Sequence, residues 1–557
     1  MSAPGKPSTA AVAAVLARLY AARGATDPRE AEYGLEALAA PEALLGLEAA
    51  SAALEGAIRR DESVLVIGDY DADGATGTAL AVRGLRRLGA RHVDYLIPDR
   101  AREGYGLTPA IVARAHGLRP QWLMTVDNGI NSGEGVRAAR AGGIPVIITD
   151  HHLPGASVPD AQAIVNPNQP GDPFPSKALA GVGVVLYLLI ALRRRLGAGQ
   201  VPLADLLDLV ALGTVADCVP LDANNRLLVR QGLQRINAGR TCPGIEALLL
   251  VSGKRLGRIT AQDLGFQVGP RLNAAGRLAD MAVGVRCLLT DDRAEALAVA
   301  RQLDALNRER REREAQMQAE ADDRLAFLQE TADLPAAICL TEPHWHPGIV
   351  GIVAGRLKDR HKRPVIAFAP ADDGLLRGSG RSVPTLNLRD ALATIAEREP
   401  GLIRQFGGHA AAAGLTIGAG DFAAFATAFI GEVDRRIGSG PFREAHSDGP
   451  LGPEELSLAL AEAVRAGGPW GNGFPEPVFE GVFRVLAAHI IKERHLRLLI
   501  SRPESGEPLK AWAFRCVTPP AVGDLVALRY RLAVDEFAGD PSLCLYVDEW
   551  RAVSQAP

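Results

Sequence analysis

Between residues 63 and 165, short runs of β-branched and aliphatic residues alternate with helix-forming stretches, and this alternation restricts the fold more than any other feature of the chain. The apolar runs lie at 63–68, 92–97 (His-Val-Asp-Tyr-Leu-Ile), 122–126 (Trp-Leu-Met-Thr-Val), 145–149 (Pro-Val-Ile-Ile-Thr) and 161–165. Helices are expected between them, for example at 75–88 and 132–142. Strands joined by helical crossovers run parallel, and a parallel sheet is covered on both faces. In such sheets ligands gather beyond the carboxyl ends of the strands.

The residues at those ends are acidic or histidine. The first run stops at Asp69-Tyr-Asp71-Ala-Asp73-Gly74, the third at Val126-Asp127-Asn128-Gly129 and the fourth at Thr149-Asp150-His151-His152. Asp217 follows the apolar, helix-like run at 203–212. Residues two apart on extended backbone point the same way, so Asp69, Asp71 and Asp73 are expected to project together from a strand end. Three close anions repel one another unless a cation lies between them. Singly, each motif is weak: Asp-Asn-Gly is an ordinary turn signal, and paired histidines are commonly structural. Together, on one rim of one sheet, they describe a metal site. Carboxylates mixed with imidazole, without thiolates, favour Mn²⁺ or Mg²⁺ over structural zinc. Two such ions roughly 3.5–4 Å apart can share a carboxylate and promote in-line attack on phosphorus. Asp127, central among the strand ends, is the natural bridge, leaving the second histidine free to face substrate.

Composition narrows the alternatives. The chain has 557 residues, more than one ordinary core accommodates. Its net charge of −4 excludes a globally basic nucleic-acid binder, so a polyanion must be held by a local basic surface or through metal ions. The cysteines (218, 242, 287, 339, 516 and 544) are scattered with no Cys-x-x-Cys pair, which reads as thiols in a reducing compartment rather than a disulfide framework or zinc ribbon. The longest apolar stretch, Gly181 to Leu192, ends in Arg193-Arg-Arg195 and is too short to span a bilayer. The start, Met-Ser-Ala-Pro-Gly-Lys, lacks the basic and apolar regions of a secretory signal, so a cytoplasmic location is expected.

The whole reads as a multidomain α/β chain. An N-terminal helical segment (1–60) precedes a parallel-sheet catalytic domain (61–290), in which 182–250 look helical. A connecting helix (291–334) carries the alternating charges of Asn307-Arg-Glu-Arg-Arg-Glu-Arg-Glu. A smaller α/β domain (335–440) shows strands near 336–340 and 364–368 and a helix near 348–359. Gly- and Pro-rich text at 437–453 and 467–477 reads as linker, and the alternation of Val478-Phe-Glu-Gly-Val-Phe-Arg-Val and His495-Leu-Arg-Leu-Leu-Ile reads as an OB-like β-barrel (450–557).

The ordered motifs Gly-Asp69-Tyr-Asp71-Ala-Asp73-Gly, Asp127-Asn-Gly, Asp150-His-His and Ala216-Asp217 resemble those of the DHH phosphoesterase superfamily. Gly407-Gly-His409-Ala resembles the signature of its associated DHHA1 domain. The likeness runs from the Ala21-Ala-Arg-Gly region to the end and is nearest to the superfamily's bacterial single-strand-specific 5′→3′ exonucleases. That resemblance implies two divalent ions, Mn²⁺ or Mg²⁺, held by Asp71, Asp73, Asp127 as bridge, His151 and Asp217. Asp69 is implied as a further ligand or as a group behind the ligands. Other members place a histidine two residues before Asp69, where this chain has Ile67. His152 is implied to touch a nonbridging phosphate oxygen or to help protonate the leaving group, with Asp150 orienting the histidines.

Two clusters are suited to gripping phosphate. Gly269-Pro-Arg271-Leu-Asn273-Ala-Ala-Gly276-Arg277 reads as a glycine-punctuated loop with two arginines and an amide, and Arg377-Gly-Ser379-Gly-Arg381-Ser382 offers a hydroxyl and guanidinium forks for a terminal 5′ phosphate. A solvated arginine loop is the alternative for each. Trp345-His-Pro-Gly348-Ile-Val-Gly351 resembles a DHHA1 element whose helix N-terminus is open to phosphate. His409 is similar to a substrate-contacting residue of that domain, with a buried structural histidine as the competing reading. In the barrel, Lys492, Arg494, His495, Arg497 and Lys510 lie near Trp512 and Phe514, the combination by which such barrels hold single strands; an ordinary charged outer face is the alternative. The expected activity is single-stranded-DNA-specific 5′→3′ exonucleolytic release of 5′-mononucleotides in DNA repair and recombination, by a monomer away from membranes. By family, single-stranded-DNA-binding protein and a RecQ-type helicase are its partners. The other readings are a DHH phosphatase of small nucleotides or oligoribonucleotides, generally shorter and without a barrel, and a replication-fork scaffold, which loses the acidic ligands that this chain keeps.

Overall fold

The computed structural model describes residues 9–25, 34–99, 103–331, 334–371, 374–438, 447–504, 506–536 and 540–553. The chain divides into two compact units, one of residues 1–276, 280–304 and 446–557, the other of 277–279 and 305–445.

At the centre of the first unit is a parallel sheet of β1 (Val64–Ile67), β2 (Val93–Leu96), β3 (Trp122–Val126), β4 (Val146–Thr149) and β5 (Ala163–Val165), in the order β2-β1-β3-β4-β5. Two N-terminal helices, α1 (Thr9–Ala22) and α2 (Leu47–Arg59), precede it, and α3 (Ala72–Arg87), α4 (Pro109–His116) and α5 (Gly133–Ala141) are its crossovers. Leu65, Ile67, Leu123, Val146 and Ile148 bury one face against Ile111, Val112, Val136 and Ala139 of α4 and α5. The fully apolar β1 is thus a core strand rather than an edge. From β1 the chain steps outward to β2 and then returns across β1 to β3. That reversal leaves a crevice at the carboxyl ends of β1 and β3, where open α/β sheets bind ligands.

A helical layer follows: α6 (Gly181–Arg195), α7 (Leu207–Ala216), α8 (Ala223–Asn237), α9 (Pro243–Val251) and the single turn α10 (Ala261–Asp263). A π-helical turn, Leu264–Val268, leads into α11 (Gly269–Leu278), then α12 (Ala282–Leu289) and the long α13 (Arg293–Thr331). Two expectations change here. The chain leaves extended geometry after Ile67, and Asp71 becomes the N-cap of α3, its Oδ1 accepting from Gly74 N at 3.0 Å. Asp73 therefore lies in a first helical turn, and the three acids converge by a strand–turn–helix bend rather than by alternation on a strand. The Gly269–Arg277 segment, expected as a loop, is helical: it continues the π-helical turn Leu264–Val268 without a break, so its glycines and proline do not open a loop.

In the second unit β6 (Ile338–Thr341), β7 (Val365–Pro370), β8 (Leu375–Arg381), β9 (Gln405–Gly408) and β10 (Ala412–Gly418) form a mixed sheet ordered β6-β7-β8-β10-β9. The helices α14 (Val350–His361), α15 (Leu388–Arg398) and α16 (Phe422–Ile437) complete it. Strands β8 to β10 escape a propensity reading because glycine and alanine replace β-branched residues in them.

Back in the first unit, α17 (Leu458–Gly467) precedes a closed barrel of β11 (Phe479–Ile491), β12 (His495–Ser501), β13 (Pro508–Phe514), β14 (Leu525–Asp535) and β15 (Ser542–Ala552), ordered β11-β12-β13-β15-β14. Phe479, Phe483, Leu496, Leu498, Ile500 and Tyr530 fill its interior. Of the expected linkers, residues 439–446 lie outside the described residues. The 467–477 stretch is a packed turn instead, since Trp470 and Phe474 bury their rings among its glycines. No single described helix is long and apolar enough to cross a membrane.

Candidate metal centre

Asp69, Asp71 and Asp73 enter from the β1–α3 turn, Asp127 from the end of β3, Asp150 and His151 from the end of β4, and Asp217 from the end of α7. Asp69, Asp73, Asp127 and Asp150 are buried. Asp73 is fixed by the amino end of α6: its Oδ2 accepts from Gly181 N at 2.7 Å and its Oδ1 from Val182 N at 3.0 Å. The positive end of a helix thus faces a carboxylate deep in the protein. Gly181 is required there, because an added Cβ would come within 2.7 Å of Asp127 Cβ. Asp127 itself adopts φ 62°, in the left-handed region that aspartate tolerates better than most residues, so the chain turns sharply as it leaves β3.

These positions bring the donors together. His151 Nε2 lies 3.1 Å from Asp127 Oδ1, 3.5 Å from Asp217 Oδ2 and 4.0 Å from Asp73 Oδ2. Three overlapping groups, Asp69–Asp71–Asp127, Asp73–His151–Asp217 and Asp127–His151–His152, each gather their donor atoms within 4.8 Å of one another. Asp127 belongs to two of them. Burial, then the charges of Asp73 and Asp71, hold the Asp127 carboxyl well above the ordinary range; burial, then Asp217 and Asp71, do the same to Asp73. Asp217 is pushed up to about 7 by burial and Asp71. His151 is pushed down to about 4 by burial and the neighbouring His152, so it is neutral, the state in which imidazole binds metal. Asp127 Oδ1 and His151 Nε2 are buried and make no hydrogen bond among the described residues. Orphaned donors, mutually repelling carboxyls and a neutral imidazole fit divalent cations bound through oxygen and nitrogen.

His152 is held differently. Asp150 Oδ1 accepts from His151 N at 2.7 Å and His152 N at 3.1 Å and lies 2.8 Å from His152 Nδ1, while Oδ2 accepts from Ile130 N at 2.9 Å. Burial works against charge on His152, but the hydrogen bond and charge of Asp150 outweigh it and raise the imidazole to about 9. Tyr105, a residue the sequence reading passed over, donates its hydroxyl to Asp127 O at 3.1 Å and lies 3.2 Å from His152 Nε2. Its position in the loop beyond β2, another strand end, is the signal that could have found it.

The other candidates divide. Asn273 Oδ1 accepts from Ala72 N at 2.8 Å, bracing the β1–α3 turn. Arg271 donates to Asp304 Oδ1 at 2.9 Å and to Gln267 O at 2.6 Å, so both groups have partners inside the protein. In the second unit Arg277 donates to Gly348 O at 2.8 Å. There Arg381 Nη1 donates to Ser379 Oγ at 3.1 Å, and a Cβ added to Gly351 would lie 2.7 Å from Ser379 Oγ and 3.0 Å from Arg381 Nη2. A hydroxyl, a guanidinium and the first turn of α14 thus converge, a combination suited to phosphate. His409 is exposed at the β9–β10 turn, where its Nδ1 accepts from Ala411 N at 3.3 Å; it is not a buried core histidine. On the barrel, register aligns Arg497 with Trp512, Trp512 with Tyr546 and Tyr546 with Arg531 in one row across four strands. Trp512 stacks on the exposed Phe514, their rings parallel to 9° at 6.3 Å. Tyr546 was not anticipated, being remote in sequence from the other two.

Comparison with known proteins identifies the domains and the relatives of the chain. Residues 63–214 match the DHH family N-terminal domain, 333–434 the DHHA1 domain and 447–549 the RecJ OB domain. The single-stranded-DNA-specific exonuclease RecJ of Escherichia coli is 48% identical over 548 residues, covering 96% of this chain and 95% of that protein. The RecJ of Haemophilus influenzae is 44% identical, with the same shares covered. Among solved structures, RecJ of Thermus thermophilus in complex with Mn²⁺ superposes with a TM-score of 0.81 at 33% identity, covering 97% of this chain and 76% of that one.

Proposed function

The chain belongs to the RecJ family of single-stranded-DNA-specific exonucleases, and from that premise we propose that it removes 5′-mononucleotides from the 5′ end of single-stranded DNA, in repair and recombination. Asp69, Asp71, Asp73, Asp127, His151 and Asp217 would hold two divalent ions, Mn²⁺ or Mg²⁺, with Asp127 shared between them. When bound, such ions neutralise charge on the phosphate and make water acidic enough to attack near neutral pH.

The protein's own groups do the rest. Asp150 keeps His152 protonated and, with Tyr105, aims it, so that its N–H can contact a nonbridging oxygen or pass its proton to the departing 3′ oxygen. The helix end at Gly181 and Val182 keeps Asp73 fixed while its negative neighbours crowd it. Ser379, Arg381 and the first turn of α14 would take the terminal 5′ phosphate, and the barrel row from Arg497 to Arg531 would hold the strand by stacking and charge. Arg271, Asn273 and Arg277 act in this reading as braces for these sites, and His409 as an exposed substrate contact. Single-stranded-DNA-binding protein and a RecQ-type helicase are proposed as partners by family alone.

The observation that carries this reading is the buried convergence of Asp127 and His151 with the acids around them. It is tested by incubating the protein and Mn²⁺ with 5′-labelled and 3′-labelled single-stranded DNA, RNA and duplex DNA, and separately with RNA dinucleotides and small nucleotides. Mononucleotides released from the 5′ end of single-stranded DNA alone support it. Release from RNA dinucleotides or small nucleotides only, or no cleavage at all, would replace it with a small-substrate phosphatase or a scaffold respectively.

A further inference from the structure

Asp217 is followed by a residue in an unfavourable conformation. Asp217 caps α7, and the next residue, Cys218, has φ 61°. A non-glycine residue in the left-handed region is strained and persists only where its surroundings enforce it. The enforcing group comes from far along the chain, out of the turn between α17 and the barrel. Asn472 Nδ2 donates to Cys218 O at 2.8 Å, and Asn472 O accepts from Leu221 N at 2.7 Å. One residue therefore grips both ends of the short loop that leaves the metal centre.

That residue is rigidly held. Gly471 and Phe474 exchange backbone hydrogen bonds, with Gly471 N donating to Phe474 O at 2.9 Å and Phe474 N to Gly471 O at 3.1 Å, which puts Asn472 at the tip of a tight turn. Trp470 and Phe474 stack at 5.2 Å, and Tyr20 of α1 packs on both, at 5.9 and 6.0 Å. Arg23 covers Trp470 at 5.5 Å and makes a two-pronged bond to Asp448, both at 2.8 Å, with each of these side chains 2% exposed. From the catalytic side, Arg226 lies 4.2 Å over the Phe474 ring and donates to Leu221 O at 2.9 Å. The N-terminal helix and the entry to the barrel close into a knot around the buried Trp470 and Phe474 rings, and from it Asn472, itself exposed, reaches the exposed loop after Asp217.

We propose that Asn472 is a positioning residue of the metal centre. By holding the Cys218 carbonyl it fixes the backbone behind Asp217, so that the Asp217 carboxylate stays beside His151 and Asp73. The segment leading into the barrel thereby sets the cation affinity of the catalytic half, in addition to any part the barrel plays in holding DNA. This inference rests on the reading of Asp217 as a metal ligand.

The test is Mn²⁺ binding by the full-length protein without DNA, followed by electron paramagnetic resonance of free Mn²⁺, for wild type, Asn472→Ala, Asn472→Leu and Asp217→Asn. Both Asn472 variants retain the backbone bond to Leu221, and circular dichroism checks their fold. Groups that orient ligands typically contribute about 10–100-fold to metal affinity. Asn472→Ala and Asn472→Leu should weaken binding at one site by about tenfold, and excess Mn²⁺ should return the exonuclease rate to its wild-type plateau. Folded Asn472 variants with wild-type Mn²⁺ affinity, beside an Asp217→Asn variant that has lost it, overturn the positioning role while sparing the ligand. Unchanged affinity in Asp217→Asn overturns the ligand reading itself, and the inference with it.

Discussion

His151 Nε2 lies 3.1 Å from Asp127 Oδ1, and neither buried atom makes a hydrogen bond among the described residues. In a protein interior an unsatisfied polar group costs about 1–3 kcal/mol, more when charged. The site is therefore held at a cost in stability that a bound cation offsets. Divalent ions should accordingly raise the unfolding temperature. Differential scanning calorimetry with EDTA and with saturating Mn²⁺ measures this, and Asp127→Asn should lose the Mn²⁺ increment while unfolding at a higher temperature than wild type in EDTA.

The same cluster gives metal-free stability a pH dependence of defined sign. The carboxyls of Asp73, Asp127 and Asp217 bind protons more tightly folded than unfolded, because burial and mutual repulsion disfavour their charge. An unfolded aspartate ionises near pH 4, whereas Asp217 is raised to about 7. Between those values the folded state holds the extra proton, so stability falls as pH rises. The melting temperature in EDTA should drop from pH 5 to pH 8, and Mn²⁺ should flatten the drop. A metal-free protein equally stable across that window would contradict the repulsion.

His152 owes its elevated value, about 9, to Asp150 acting against burial. Asp150→Asn removes that support, so the alkaline limb of the pH–rate profile should move to lower pH and the rate at pH 8 should fall. Loss of Mn²⁺ affinity without any change in the limb would place Asp150 among the ligands instead.

For the second unit, Arg381→Ala should slow cleavage of 5′-phosphorylated strands by about 10–100-fold, the scale of a charged hydrogen bond of about 1.5–3 kcal/mol, and barely affect 5′-hydroxyl strands. Competition between the two labelled ends reads this directly. Equal losses on both would remove Arg381 from end recognition.

On the barrel, replacing Trp512 or Phe514 by alanine should raise KM for long single strands, each by the equivalent of about 1–3 kcal/mol, and leave kcat and Mn²⁺ affinity unchanged. Unaltered KM would reduce the aromatic row to an ordinary outer face.

Much of the metal centre was legible because a parallel sheet converts sequence order into a rim: Asp69, Asp127 and His151 each end an apolar run, and the topology does the gathering. The approach of Asp73 to Gly181 and Val182 was not, since it depends on how α6 docks, a long-range packing result without local signature. Arg271 and Asn273 have the sequence look of loop groups because glycine and proline punctuate them, yet the segment is a helix that turns both side chains toward partners in the protein. Asn472 lay in text rich in glycine and proline, where only the burial of Trp470 and Phe474 distinguishes a packed turn from a linker.

On the reading proposed above, the cluster around Asp127 hydrolyses single-stranded DNA through bound divalent ions. The most direct measurement is mononucleotide release from a 5′-labelled single strand by wild type and Asp127→Ala across a Mn²⁺ titration. Wild type should show saturable, Mn²⁺-dependent release, and folded Asp127→Ala should show almost none at any Mn²⁺ concentration. Wild-type rates from the variant, with or without Mn²⁺, would contradict it.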